Sequence, residues 1–390
     1  MNKKVVLAYS GGLDTSVAIK WLIDSGFDVV CYMSDVGQVG DFKKAQKKAL
    51  KIGASKVYID DCRTDFVKNY IFPALKANAV YEGKYFLATA LSRPLIGKRL
   101  AEIAKKEKAD CVAHGCTGKG NDQVRIELAV KTLHGNIDII APVREWDLPT
   151  RKAEIEYAKI HNIPIDVSIK KPYSIDKNLW GCSIESGKLE DPSYEPGKDV
   201  YQMTKDPDKA PSKPLYINIY FEKGIPKKIN GKKVKEVSLV DYLNKKGGLY
   251  SIGRSDIVED RLVGIKSREI YEAPAAKILT EAHKSLEELV LDRETLHFKE
   301  MISIKYSRLI YDGLWFTPLR NALAKFIDET QKHVTGTVRM KLTRSQAVCV
   351  GRKSKYSKYK LDLATYGEGD TFDQSLAKGF IEIWGLPYKK

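Results

Sequence analysis

Residues Ser10-Gly11-Gly12-Leu13-Asp14-Thr15-Ser16 put small residues, hydroxyls and one acid directly after the apolar run Val5–Leu7. Adjacent glycines let backbone N–H groups approach a phosphate closely. The helix expected next offers its N-terminus, and Thr15 and Ser16 add hydroxyl donors. The stretch is not a P-loop, which needs G-x-x-x-x-G-K-[ST]. The nearest approach to that lysine, Lys119 in Gly115-Cys116-Thr117-Gly118-Lys119, is followed by Gly120. Asp14 therefore sets the problem: a carboxylate beside phosphate makes sense if Mg2+ bridges it to the phosphate oxygens. The plainer alternative is a tight turn with Asp14 or Thr15 as helix N-cap.

A second glycine-rich loop, His114-Gly-Cys-Thr-Gly-Lys-Gly-Asn-Asp-Gln-Val-Arg-Ile-Glu127, leads into another expected helix. Asp122 and Arg125 stand three apart and share a helix face, while Thr117 and Asn121 add neutral hydrogen-bonding groups. Opposite charges and an amide at one helix start suit a zwitterionic amino acid. An N-capped helix with a surface ion pair is the plainer alternative.

The elements that must position these loops alternate in type. Strands are expected at Lys4–Tyr9, Val29–Met33, Lys56–Ile59, Cys111–Ala113 and Ile137–Ile140. Helices are expected at Asp14–Ser25, Phe42–Ile52, Ser92–Glu107 and Asp122–Thr132. Repeated β-α-β spacing predicts a parallel sheet covered on both faces, with ligands at the carboxyl ends of its strands. After Pro164 the character changes. Pro172–Pro214 is rich in Pro, Ser, Asp and Gly and too long for a bland connection, so it is expected to be functional. Beyond it come β-like runs (Leu215–Phe221, Val234–Leu239, Gln346–Gly351, Tyr359–Ala364) and helices (Ala275–Glu288, Pro318–Lys332), an α+β pattern. Near the end Phe372, Leu376, Phe380 and Trp384 recur every four residues as an apolar helical stripe, which docks on its own chain or reaches a neighbour.

Composition narrows the classes. With 390 residues, 43% of them hydrophobic, the chain can bury a large core and divide into two domains. No apolar run approaches the ~20 residues of a membrane span, and the start is too short for a signal-peptide core. A cytoplasmic protein is expected. The six cysteines form no C-x-x-C pair, which argues for free thiols rather than a zinc or disulfide framework. The net charge is +16, but its basic residues are spread along the chain, with one mild cluster at Lys43, Lys44, Lys47, Lys48 and Lys51. That reads as a solvated surface, not a nucleic-acid footprint.

Ala8–Ser16 resembles the pyrophosphate loop of the N-type ATP pyrophosphatases, which split ATP between the α and β phosphates. Within that superfamily the chain is similar to argininosuccinate synthases. The likeness rests on Asp35-Val-Gly-Gln38, Tyr81-Glu-Gly-Lys-Tyr85, Arg93-Pro-Leu-Ile96, His114–Glu127, Asn178-Leu-Trp-Gly181, Ser183-Ile-Glu185 and Leu189-Glu-Asp-Pro192. It continues through Ile257-Val-Glu259, Gly264-Ile-Lys-Ser-Arg268, Tyr271-Glu-Ala-Pro274 and Ala377-Lys-Gly-Phe380, collinear across the chain. The resemblance implies an α/β nucleotide-binding domain over residues 1–166, an α+β synthetase domain over 167–365 and an oligomerisation helix over 366–390. It implies ligation of citrulline and aspartate, with ATP becoming AMP and pyrophosphate, Mg2+ as cofactor and a homotetramer without nucleic-acid or membrane partners.

Carried over residue by residue, ATP falls to Ala8, Tyr9, Ser10, Gly11, Gly12, Leu13, Asp14, Thr15, Ser16, Ser34 and Gly115. Aspartate falls to Thr117, Asn121 and Asp122, and citrulline to Tyr85, Asn121, Arg125, Ser174, Ser183, Glu259 and Tyr271. Asp14, Asp122 and Arg125 are the catalytic candidates, with Asp14 the Mg2+ ligand and Asp122 the candidate general base. Ala90 departs from the pattern, standing where the family often has a citrulline-contacting Ser; neighbouring Thr89 is the available substitute. The alternative is a tRNA-modifying adenylase of the same superfamily, but neither a catalytic cysteine pair nor an RNA-binding module is visible.

Overall fold

The computed structural model describes residues 3–164 and 173–389, so the expected domain boundary at 166/167 lies outside the described residues. Five parallel strands form the first sheet: β1 (Lys3–Ala8), β2 (Phe27–Asp35), β3 (Lys56–Asp61), β4 (Cys111–His114) and β5 (Asp138–Ile140), in the order β3-β2-β1-β4-β5. The alternation of side chains along β1 explains its continuous apolar run. Val5 and Leu7 pack with Val17, Ala18 and Leu22 of helix α1 (Leu13–Asp24). Val6 faces the other way, onto Leu100, Ala104, Ile126 and Val130 of helices Ala88–Glu107 and Asp122–His134. Both faces are thus covered, as a parallel sheet requires. The chain leaves β1 toward β2 but returns on the opposite side at β4. Between these strands lies the crevice where such sheets hold ligands, and the loops after β1 and β4 flank it.

The rest of the chain is antiparallel sheet and helix. One sheet has the order β10-β9-β8-β13-β14, from Lys232–Lys233, Ile225–Ile229, Leu215–Glu222, Gly336–Thr343 and Gln346–Lys353. A smaller sheet joins β11 (Arg254–Asp260), β12 (Lys266–Glu272), β7 (Gly181–Glu185) and β6 (Ser174–Asn178). Helix Pro274–Val290 packs on the first of these sheets, and helix Arg293–Tyr311 follows it. Their junction encloses charge: Lys299 Nζ lies 3.0 Å from Glu287, which also accepts from Asn78 (2.6 Å) and Gln331 (2.6 Å). Every oxygen of this buried carboxylate is therefore answered, which is what allows it to be buried.

Two expected strands differ. Val234–Leu239 enters helix Glu236–Leu249, whose Leu239, Val240 and Leu243 are buried at helical spacing; a short apolar run does not separate the two periods. Tyr359–Ala364 is not a strand: β14 ends at Lys353, and Leu361–Ala364 is an exposed helical turn. Pro172 lies outside the described residues; the rest of Pro172–Pro214, residues 173–214, contains the β6–β7 hairpin and irregular backbone pinned by a buried acid. Glu272 accepts the amides of Gln202 (2.6 Å), Met203 (3.0 Å) and Thr204 (2.8 Å). At the end of the chain, helix Leu376–Trp384 has no buried residue, and Phe372, Leu376, Phe380 and Trp384 are all exposed. The stripe does not dock on its own chain. No helix among the described residues is long and apolar enough to cross a membrane.

Candidate active site

The first loop folds as its residue types require. Gly11 has φ +81°, a conformation that strains any side-chain-bearing residue, and a Cβ there would sit 3.0 Å from Ala45. The Ser10 hydroxyl lies 3.1 Å from that of Thr15, and Ser16 donates its hydroxyl to the Gly12 carbonyl at 2.6 Å. Gly12 is the N-cap of α1 and no side chain caps the helix, so neither Asp14 nor Thr15 is used as a cap. The loop has no lysine, but helix α2 (Phe42–Ile52) supplies one: Lys48 Nζ donates to the Gly11 carbonyl at 2.5 Å. Gly115, in the loop after β4, comes so close that a Cβ there would meet Thr15 Cγ2 at 2.9 Å. Ala8, Tyr9, Ser34 and Gly115 thus gather with Ser10–Ser16 around the carboxyl ends of β1, β2 and β4.

Asp14 faces Glu154 of helix Arg151–Ile160. Burial first, and the neighbouring Asp14 second, push the Glu154 carboxyl up to about 8, and its Oε2 is buried without a hydrogen-bond partner among the described residues. Among the described residues no cluster of three or more His, Cys, Asp or Glu forms a metal cage. Mg2+ needs none, since one or two carboxylates with substrate phosphates hold it. Asp14 and the unanswered oxygen of Glu154 fit that donor set.

The second loop delivers a charged cluster. Arg125 Nη1 donates to Asp122 Oδ1 at 2.9 Å, the predicted pair on one helix face, but Arg125 is only 4% exposed, so this is no surface ion pair. Its Nε donates to the Tyr311 carbonyl at 2.8 Å, whereas Nη2 is buried and has no partner among the described residues. Arg93 donates Nε to the other Asp122 oxygen at 2.9 Å and pairs with Asp176 on β6. Burial pushes the Asp122 carboxyl up, but Arg93 and Arg125 outweigh it and hold it below the ordinary carboxylate range. A carboxylate held this way is a poor proton acceptor, so its assignment as general base has no electrostatic support. Asn121 is buried, and Thr117 is exposed on the loop.

Across the crevice, Glu259 accepts from the Tyr271 hydroxyl at 2.7 Å and the Tyr311 hydroxyl at 2.6 Å. Burial pushes its carboxyl up, with the two phenols and Arg125 opposing. Tyr271 stacks on Tyr85 with ring centroids 4.0 Å apart. The Tyr85 hydroxyl accepts the Thr89 and Ala90 amides (3.0 and 3.2 Å), which fixes its oxygen and leaves its proton available to donate. Ala90 is fully buried, and the Thr89 hydroxyl lies 3.3 Å from that of Ser183. Thr89 thus stands beside the expected citrulline residues, as the departure at position 90 suggested. Ser174 is at the exposed start of β6, opposite Glu185.

Tyr311, Arg93, Asp176 and Lys48 were not singled out in the sequence. Arg93 lay inside a family-like stretch without an assigned role. Tyr311 ends a long helix, 52 positions from Glu259, and no local pattern marks it.

Residues 4–164 match the arginosuccinate synthase N-terminal HUP domain, and residues 173–390 match the arginosuccinate synthase C-terminal domain. The chain belongs to the argininosuccinate synthase family. The argininosuccinate synthase of Dictyoglomus turgidum is 57% identical over 386 residues, covering 99% of this chain and 96% of that one. That of Carboxydothermus hydrogenoformans is 54% identical over 390 residues, 100% and 97% of the two chains. That of Bacillus licheniformis is 54% identical over 388 residues, 100% and 96%. Membership makes the chain an ATP-dependent ligase and does not favour the tRNA-modifying alternative.

Proposed function

We propose that this chain joins citrulline and aspartate into argininosuccinate through a citrullyl-adenylate. The observation that supports the residue assignment is the buried Nη2 of Arg125, without a partner among the described residues, which meets the need of an amino-acid carboxylate for a charged donor. Glu259, with Tyr271, Ser183 and Ser174, receives the ureido end of citrulline, and Tyr85 and Asn121 complete that site. The ureido oxygen attacks the α-phosphorus of ATP. Pyrophosphate leaves into Ser10–Ser16, where backbone N–H groups and the paired hydroxyls of Ser10 and Thr15 take up its charge, while the Ser16 hydroxyl holds the Gly12 carbonyl. Asp14 and Glu154 would hold Mg2+, which would supply further neutralisation of phosphate charge. Aspartate is held by Thr117, Asn121 and Asp122, the last accepting its α-ammonium. After this ammonium loses a proton to solvent, the amine attacks the adenylated carbon, the new C–N bond replaces the C–O bond to AMP, and AMP departs. Asp122, held below the ordinary carboxylate range, is a poor general base, so catalysis is assigned mainly to positioning and charge stabilisation.

The active site on this reading lies between a nucleotide-binding domain, 1–166, and a synthetase domain, 167–365. The exposed stripe of 366–390 holds four copies together. Citrulline labelled with oxygen-18 at the ureido position tests the chemistry. The label is expected in AMP, with pyrophosphate as the other product. ADP as a product, or label retained in the ligated amino acid, overturns it.

A further inference from the structure

The β11–β12 hairpin carries Glu259 near its tip and then continues outward to touch the Gly115–Asn121 loop. Two hydrogen bonds make the contact. Arg261 Nη1 donates to the Lys119 carbonyl at 3.2 Å, and the Leu262 amide donates to Asn121 Oδ1 at 3.0 Å. The guanidinium is itself fixed from behind. Its Nη2 donates to Glu185 Oε2 on β7 at 2.5 Å and to Glu269 Oε1 on β12 at 2.7 Å. The tip closes through Arg261 N to the Ile265 carbonyl (2.9 Å) and Gly264 N to the Arg261 carbonyl (3.0 Å). Below the tip, the Tyr81 hydroxyl donates to the Asp260 carbonyl at 2.8 Å, so the hairpin is also seated on the N-terminal part of the chain.

The loop is already held from its own side, where Gln123 Nε2 donates to the Gly118 and Gly120 carbonyls at 2.6 and 3.1 Å, and the hairpin adds a second clasp at Lys119 and Asn121. Gly115, Gly118 and Gly120 give it many conformations to lose, an entropic cost that falls on whatever ligand must order it. Asn121 adds a question of orientation. With Oδ1 occupied by the Leu262 amide, its Nδ2 is left to donate toward the site. If released, the side chain can turn its oxygen toward a substrate carboxylate and repel it.

We propose that Arg261 is a positioning residue that presets the Gly115–Asn121 loop for the second amino acid, so that the hairpin bearing Glu259 also prepares the aspartate site. This rests on the assignment of Thr117, Asn121 and Asp122 to aspartate. Arg261 touches no reacting atom. It holds the loop through one arm while two carboxylates hold the other.

The test uses the full chain with Arg261→Gln, Arg261→Lys and, as a control, Arg268→Gln. Arg268 lies on the same hairpin but pairs with Asp256 and donates to the Asp191 and Tyr194 carbonyls, away from the loop. Arg261→Gln is expected to raise the aspartate KM about tenfold, the equivalent of one charge-assisted hydrogen bond. Because Asn121 also serves citrulline and Gly115 serves ATP, citrulline-dependent ATP–pyrophosphate exchange without aspartate is read at saturating citrulline and ATP, where it should stay within about threefold of wild type. Arg261→Lys should fall between Gln and wild type, and Arg268→Gln should leave the aspartate KM in place. An equal fall in exchange, or an equal rise in aspartate KM for Arg268→Gln, overturns the proposal in favour of general support of the fold. Tryptic cleavage after Lys119 reads the loop without relying on activity. Arg261→Gln should speed it several-fold at unchanged melting temperature, and an unchanged cleavage rate overturns the clasp. Wild-type protein that lacks citrulline-dependent exchange counts against the assigned reaction, whereas the cleavage rates still judge the clasp.

Discussion

The Tyr311 hydroxyl donates to Glu259 Oε1 at 2.6 Å, while the backbone carbonyl of the same tyrosine receives Arg125 Nε at 2.8 Å. One residue therefore steadies an acid and a base that the chain separates by 134 positions. Among the described residues Arg125 Nη2 is left without a hydrogen-bond partner. Tyr311→Phe removes only the hydroxyl. The citrulline KM is expected to rise about tenfold, since a hydrogen bond to a charged group is worth about 1.5–3 kcal/mol and solvent recovers part of it. Steady-state kinetics with citrulline varied check this; an unchanged KM removes the phenol from the site.

Asp14→Asn should cripple turnover while leaving the melting temperature within about 2 °C, the range of a surface change in a chain of this size. Asp14 makes no cap whose loss would unfold α1. Differential scanning calorimetry alongside a pyrophosphate-release assay separates the two effects. Near-normal turnover excludes Asp14 from phosphate chemistry.

Lys48→Met takes away a cation that touches the phosphate loop through the Gly11 carbonyl. Inhibition by added pyrophosphate should weaken about tenfold, as loss of one ammonium contact implies. Lys47→Met, on the exposed face of the same helix, should do nothing comparable. Equal effects from the two lysines point to a diffuse field instead of a contact.

Glu107 ends helix Ala88–Glu107 and ties it to β1 and β3 through Lys4, Lys56 and Tyr58. Its hydrogen bonds with Lys56, then with Tyr58, lower its pKa from 4.5 to about 2. The folded value lies below the unfolded one. Stabilisation is therefore fully present above pH 4.5 and is lost as the pH falls toward 2. Solvent screening at the half-exposed Lys56 limits it to about 1 kcal/mol. Urea unfolding should show Glu107→Gln less stable by that amount at pH 7, with the difference narrowing below pH 4.5 and closing as the pH falls through about 2. A gap that does not change with pH contradicts this.

On the proposed tetramer, deleting Phe372–Lys390 should lower the oligomeric state more than it damages the fold of the remaining chain. The stripe is exposed along its whole length and contributes no buried residue to its own fold. Light scattering is the measurement, and an unchanged mass refutes the assignment.

The sequence by itself determined the parallel sheet, both glycine-rich loops and the residues at their tips. These are local features: the period-2 run of β1, the left-handed turn at Gly11 and the i, i+3 pairing of Asp122 with Arg125 are settled within a few residues of chain. The family resemblance supplied distant partners such as Glu259 and Tyr271, which no local pattern could join. Only the tertiary structure decided what surrounds them. Glu259 next to Asp260-Arg261 reads as surface charge, yet it is buried, because two phenols and a packed hairpin take the place of water. Lys48 looks like one of five solvated lysines until α2 lies beside the loop. Arg261 gains its partners from β7, β12 and the loop after β4, which come together only when the two halves of the chain close. Val234–Leu239 and Tyr359–Ala364 misled for the same reason. A run of six residues fits either period, and the surface available to bury it, or its absence, makes the choice.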